Sequence, residues 1–168
     1  MNLTMPVPSL LCEIISTTSE ETKAAGEHFA TLLKQGSVVA LRGGLGVGKT
    51  CFVKGLARGL NIPEEITSPT YTIIAEYAGT LPLYHIDAYR LKNDDDFDNL
   101  GIHELFDRGI TVIEWSENIL NSIPVDAVIV AIDLIADNKR RIRYMKTTDR
   151  FPHCVEDPSF QAAYGRKS

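Results

Sequence analysis

The chain is short of the features that would tie it to an oxidising compartment, a membrane or a nucleic-acid surface. Its three cysteines, Cys12, Cys51 and Cys154, are odd in number and widely spaced. That argues against a disulfide framework and fits no zinc-ligand spacing. No basic residue precedes Lys23, so the charged start of a secretory signal is missing. No apolar run approaches the ~20 residues that span a bilayer. A cytoplasmic protein without membrane association is expected. A positive excess is missing too: 17 Lys and Arg stand against 22 Asp and Glu, a net charge of −5. A protein that grips RNA or DNA on its own surface is usually basic, so unaided nucleic-acid binding is disfavoured. The one local exception is Lys139-Arg140-Arg141 with Arg143 and Lys146. Internal repeats, low-complexity stretches and domain linkers are also lacking. With 168 residues, 44% of them hydrophobic, one domain with an ordinary core is expected.

What is present is concentrated in Gly43-Gly44-Leu45-Gly46-Val47-Gly48-Lys49-Thr50. It satisfies the phosphate-loop pattern G-x-x-x-x-G-K-[ST] at every fixed position. Its context is right as well. Val38–Leu41 reads as a buried strand, and Phe52, Val53, Leu56 and Leu60 recur at helical spacing after it. In such a strand–loop–helix unit the glycines turn successive backbone N–H groups toward phosphate oxygens, and the helix adds its positive end. Lys49 is expected to reach the β- and γ-phosphates, Thr50 to ligate magnesium, and the Cys51 N–H to meet the α-phosphate. The implied ligands are a nucleoside triphosphate and Mg2+.

The remaining pattern alternates. Leu10–Ile15 reads as a strand, and Thr18 with Glu21 has capping-box spacing before a helix ended by Gly36. Gly55 and Gly59, unfavourable inside the second helix, suggest close packing against the sheet. Strands are expected over Tyr71–Tyr77, Leu81–Asp87 and Ile110–Ile113, and a helix from Asn93 through Leu105 to Gly109. Asp94, Asp95 and Asp96 are read as first-turn acids complementing the helix dipole rather than as a metal cluster. Val125–Leu134 and Arg140–Lys146 read as a strand pair joined at Asp137-Asn138. The sum is an α/β, P-loop NTPase-like sandwich with a largely parallel central sheet, flanking helices and a C-terminal antiparallel pair. Residues 1–150 are expected to form the single P-loop ATPase domain and 151–168 an irregular tail.

A nucleotide hydrolase needs a further carboxylate at a strand end. Two qualify: Asp87 after Leu83-Tyr84-His85-Ile86, and Glu114 after Ile110-Thr111-Val112-Ile113. Residue types alone leave open which holds magnesium and which orients the attacking water. Thr67-Ser68-Pro69-Thr70-Tyr71 occupies the place where nucleotide switches carry a threonine that senses the γ-phosphate. The alternative there is a simple turn. His85 reads as a core histidine, Trp115 as packing on the strand face opposite Glu114, and Arg90 as a partner of Asp87 or phosphate or a solvated side chain. The basic run at 139–146 reads as a solvated strand face, with a docking edge or a contact to the nucleotide as the alternatives.

Together these blocks resemble the TsaE family, the P-loop ATPase of tRNA threonylcarbamoyladenosine (t6A) biosynthesis. The resemblance runs from about Thr18 to Arg143. It rests on the glycine loop, Ser68-Pro69-Thr70-Tyr71, His85-Ile86-Asp87-Ala88-Tyr89-Arg90, Gly101-Ile102 and Glu114-Trp115. It implies Mg-dependent ATP hydrolysis, slow alone, that serves a TsaD-like transferase and its TsaB-like partner, with tRNA met only through that complex. By motif match it makes Thr50 and Glu114 magnesium ligands, Asp87 an essential acid, and Ser68–Tyr71 a switch-like segment. Gly44 stands where the family commonly has aspartate, and Cys51 where it has threonine or serine. The rival reading is a small-molecule P-loop kinase, which needs an arginine-bearing lid. A GTPase is disfavoured, because Asn138-Lys139-Arg140-Arg141 lacks the final aspartate of the guanine-reading Asn-Lys-x-Asp.

Overall fold

The structure is a computed structural model that describes residues 8–147. Cys154 and the tail expected to be irregular lie outside the described residues. Seven strands form one sheet: β1 (Ser9–Ser16), β2 (Val38–Arg42), β3 (Ile74–Tyr77), β4 (Leu83–Asp87), β5 (Ile110–Glu114), β6 (Val128–Ala136) and β7 (Lys139–Lys146), in the spatial order β1-β7-β6-β2-β5-β4-β3. The four central strands β6, β2, β5 and β4 run parallel. β3 closes one edge antiparallel, and β7 with β1 extend the other antiparallel. The expected α/β architecture is therefore present.

The central strands are apolar on both sides because both faces are covered. On one face Val39, Leu41, Val112, Val130, Ile132, Ile142 and Tyr144 pack beneath helices α1 (Ser19–Ala30) and α2 (Lys49–Gly59). Phe29, Phe52 and Tyr144 meet there, with ring centroids 5.0–6.3 Å apart. On the other face Val38, Ile86 and Ile113 pack under the short helix α3 (Asp94–Asp98), a 3-10 turn over Ile102–Leu105 and a longer one over Ser116–Ser122.

Several boundaries differ from those read in the sequence. Helix α1 is capped as expected, with Thr18 accepting the Glu21 N–H. The Glu21 carboxylate, however, reaches back to the N–H and hydroxyl of Thr17, one residue beyond the usual partner, and these bonds lower its pKa. The helix ends at Ala30, before Gly36. β3 begins at Ile74 rather than Tyr71, because the Ile73 N–H bonds the Pro69 carbonyl at 2.7 Å and closes a turn. The helix expected over 93–109 is interrupted where the backbone turns left-handed at Gly101 (φ 68°). Asp94, Asp95 and Asp96 do form its first turn, capped by Asn93.

The helical glycines pack differently from expectation as well. Gly55 does not abut the sheet. A Cβ there would lie 1.9 Å from the Lys23 carbonyl oxygen, and one on Gly26 would lie 2.2 Å from that of Phe52. The α1 and α2 backbones therefore touch directly, and the two helices cross at the distance only glycine permits. Gly55→Ala must push α1 off α2, so it should destabilise the fold by about 3 kcal/mol. Thr18→Ala, which removes only a cap, should cost about 1 kcal/mol. Urea unfolding of the two variants should show that order.

Candidate functional site

The site lies at the carboxyl ends of β2, β4 and β5, where an open parallel sheet places its ligand crevice. β2 delivers the chain to the glycine loop, which turns into α2 through Gly48 in a left-handed conformation (φ 110°). No side chain caps α2, so its first N–H groups are free to face the cleft. Lys49, only 7% exposed, sits at the start of the helix. Its Nζ donates to the carbonyls of Gly43 and Gly44 and lies 3.7 Å from the centroid of the Trp115 ring. Burial pulls the Lys49 pKa below its ordinary value, and Glu114, Glu117 and Asp87 partly oppose that pull.

The two strand-end carboxylates are neighbours in register: Asp87 pairs with Glu114 across β4 and β5, and both are buried. Asp87 accepts the Tyr89 N–H at 2.9 Å, the Ser68 hydroxyl at 3.1 Å and the Thr70 hydroxyl at 3.2 Å. Glu114 accepts the Thr50 hydroxyl at 3.4 Å on one oxygen and the Ser68 hydroxyl at 3.5 Å on the other. His85 lies behind this pair, fully buried, with Nε2 3.6 Å from Glu114. Neither ring nitrogen of His85 finds a hydrogen bond, unlike the satisfied core histidine expected.

A cleft of about 360 Å³ gathers these groups. Of the residues singled out in the sequence, Gly44, Leu45, Gly46, Gly48, Lys49, Thr50, Cys51, Thr70, Asp87 and Glu114 line it. Gly43 and Val47 stand behind the wall. A Cβ on Gly43 would meet the Ile132 carbonyl at 2.5 Å, and Val47 packs against the core beneath α1 and α2. The Cys51 thiol donates to the Ser19 carbonyl at 3.2 Å.

Three residues take places that the sequence left undefined or read differently. Trp115 does not continue the strand alternation. It leaves β5 with a positive φ of 57°, which swings its ring over Lys49 and against Tyr89. Ser68 bridges both carboxylates. Arg140, in the run read as a solvated face or alternatively as a docking edge or nucleotide contact, donates from Nε to the Val47 carbonyl at 2.7 Å. The rest of that basic run stays away: Arg141 and Arg143 pair with Asp133. Arg90 pairs with neither Asp87 nor a cleft group; it stacks on the exposed ring of Tyr71, 4.5 Å from the centroid.

Among the described residues no three His, Cys, Asp or Glu side chains cluster to hold a metal by themselves. The donor set instead offers one hydroxyl and one carboxylate beside a cradle of amides. That suits a magnesium ion completing its oxygen shell from phosphate and water. No helix of the described residues is long and apolar enough to cross a membrane.

Sheet order, glycine loop and strand-end acids define an α/β protein of the P-loop NTPase-like kind. Comparison with known proteins narrows this class. Residues 16–142 match the model of the family described as threonylcarbamoyl adenosine biosynthesis protein TsaE. The chain belongs to the TsaE family. It is 46% identical over 129 residues to the tRNA threonylcarbamoyladenosine biosynthesis protein TsaE of Treponema pallidum, covering 76% of this chain and 96% of that one. With the TsaE of Bacillus subtilis it shares 40% identity over 142 residues, 83% of this chain and 89% of the relative. The crystal structure of Bacillus subtilis YdiB superposes with a TM-score of 0.79 at 34% identity, over 93% of this chain and 98% of that chain.

The Lys49–Trp115 contact can be read directly, because Trp115 is the chain's sole tryptophan. Deprotonation of Lys49 removes the cation from the ring. Tryptophan emission excited at 295 nm should therefore titrate with a midpoint below lysine's usual value of about 10.4. The transition should vanish in Lys49→Met.

Proposed function

We propose that this protein binds ATP with magnesium in the cleft beside the loop of residues 43–51 and hydrolyses it slowly on its own. We place this activity in the cytoplasm, in support of t6A biosynthesis, with a TsaD-like transferase and a TsaB-like protein as partners and tRNA reached only through them. The observation that carries the reading is the convergence, in one cleft, of Lys49, Thr50, Asp87 and Glu114 from three adjacent strand ends. Family membership and the names of the relatives support the pathway.

Each side chain then has a task. The amides from Gly44 to Cys51 bind the phosphates, and Lys49 exchanges its Gly43 and Gly44 carbonyls for β- and γ-phosphate oxygens. Thr50 and Glu114, already 3.4 Å apart, would hold the magnesium ion, which would supply positive charge against the charge that develops in phosphoryl transfer. Asp87 accepts a hydrogen bond from the attacking water and sets its line toward the γ-phosphorus. Water oxygen bonds to phosphorus as the bond to the ADP oxygen breaks, and the water proton leaves to the carboxylate or to phosphate. The Ser68 and Thr70 hydroxyls, which rest on Asp87 and line the same cleft, would be the groups that sense a γ-phosphate.

Steady-state ATPase assays test this. Lys49→Ala should lower kcat/KM by about a hundredfold or more, as removal of a charged transition-state contact does. Glu114→Ala should weaken the magnesium dependence; an unaltered magnesium titration would move that role to Asp87. Affinity capture of the chain from cytosol should recover the transferase and its partner, more with ATP than without. Rapid phosphorylation of a free metabolite would replace the reading with that of a small-molecule kinase. ATP should also shield Cys51, which lines the cleft, from maleimide, read by peptide mass spectrometry.

A further inference from the structure

Arg140 opens β7, in register with Ser16 on β1 and Leu134 on β6. The period-two alternation of a strand puts it on the same face as Ile142 and Tyr144, the face covered by α1 and α2. Arg141 and Arg143 point to the other face and meet Asp133. Arg140 thus continues an apolar row to the point where the sheet passes under the phosphate loop. There its Nε donates to the Val47 carbonyl at 2.7 Å. A Cβ on the next residue, Gly48, would sit 3.2 Å from that Nε and 3.4 Å from Cδ.

This contact has a consequence inside the cleft. The Val47–Gly48 peptide is trans, since the described residues hold no cis bond. A trans peptide directs its C=O and its N–H to opposite sides. Val47 stands behind the wall of the cleft, whereas Gly48 lines it. With the carbonyl held outward by Arg140, the Gly48 N–H faces inward.

We infer that Arg140 is a positioning residue for phosphate binding: it anchors the Val47 carbonyl and so aims the Gly48 amide at the phosphate of a bound nucleotide. The inference rests on the nucleotide reading above. It gives this chain a support for its loop that comes from the antiparallel edge of the sheet. Residues of the glycine motif do not supply it. The guanidinium also adds a fixed positive charge beside the helix N-terminus, where an anion is favoured.

The test is ADP affinity by calorimetry for the full chain and three variants, each with a urea unfolding curve. Arg140→Met keeps the aliphatic stem and removes the donor, so its Kd for ADP should rise about tenfold, as loss of a charge-assisted hydrogen bond implies. Arg140→Lys retains a donor and should recover part of that loss. Arg143→Met, on the other face of β7, should bind as the parent does. Parent-like binding by Arg140→Met overturns the inference while leaving the nucleotide reading intact. If Arg140→Met is also destabilised, Arg140→Lys decides. Recovered stability without recovered affinity overturns a positioning role, and recovery of both upholds it. A parent chain that does not bind ADP removes the nucleotide reading, and this inference with it.

Discussion

The register between β4 and β5 is the constraint on which the site depends. It sets Asp87 directly beside Glu114, two carboxylates on adjacent parallel strands, both nearly removed from water. Like charges so placed repel, and each loses hydration. The surroundings answer with donors. Ser68, Thr70 and the Tyr89 amide serve Asp87, and Thr50 with Ser68 serves Glu114. Lys49, on which both carboxylates act, is held on the ring of Trp115 and on loop carbonyls. Placed so, it balances the pair at longer range without joining either carboxylate in a salt bridge. An arrangement with two buried negative charges and one partly disengaged cation favours the entry of another cation between them. The same arrangement would be a poor investment for stability alone, because apolar residues at these strand ends would fold more readily.

The rest of the molecule can be understood as holding that register. Parallel pairing needs both sheet faces covered, and the two layers differ in how they achieve it. On one side α1 and α2 approach until their backbones touch at Gly26 and Gly55, which fixes where α2 begins and hence where Lys49 and Thr50 stand. On the other side short helical turns follow the loops that leave β4 and β5, packing Phe97, Ile102 and Ile119 against Ile86 and Ile113. The well-ordered layer thus carries the phosphate loop. The segmented layer carries the chain away from the two acids; Tyr89 and Trp115 reach the cleft where the chain leaves β4 and β5, and Ser68 and Thr70 from the loop between α2 and β3.

How legible this was depends on the kind of information involved. The glycine loop is contiguous and its residue types have few substitutes, so its place between β2 and α2 could be read directly. Asp87 and Glu114 were legible because each ends an apolar strand pattern, and strand ends in a parallel sheet share one edge. Trp115 was not. The alternation rule applies only while the backbone stays extended, and the left-handed turn at that residue voids it. The helix expected over 93–109 failed for a related reason: apolar spacing continued across Gly101, but the backbone did not. Arg140 escaped because its face depends on which strand lies between β1 and β6, which is a matter of topology and not of local pattern.

That last point bears on the departures within the loop itself. Gly44 carries no side chain where the family resemblance led us to expect an aspartate, and Cys51 uses its thiol on the Ser19 carbonyl. Neither change touches the groups that determine the loop's shape. These are the Gly43 approach to Ile132, the left-handed Gly48 and the outward Val47 carbonyl. The first and third face the β6–β7 hairpin, away from the ligand, whereas Gly48 lines the cleft. The hairpin is therefore part of the phosphate cradle in a physical sense, although the motif that names the cradle ends well before it. Variation on the cleft side alters contacts with the ligand; variation on the hairpin side alters the conformation that makes those contacts available.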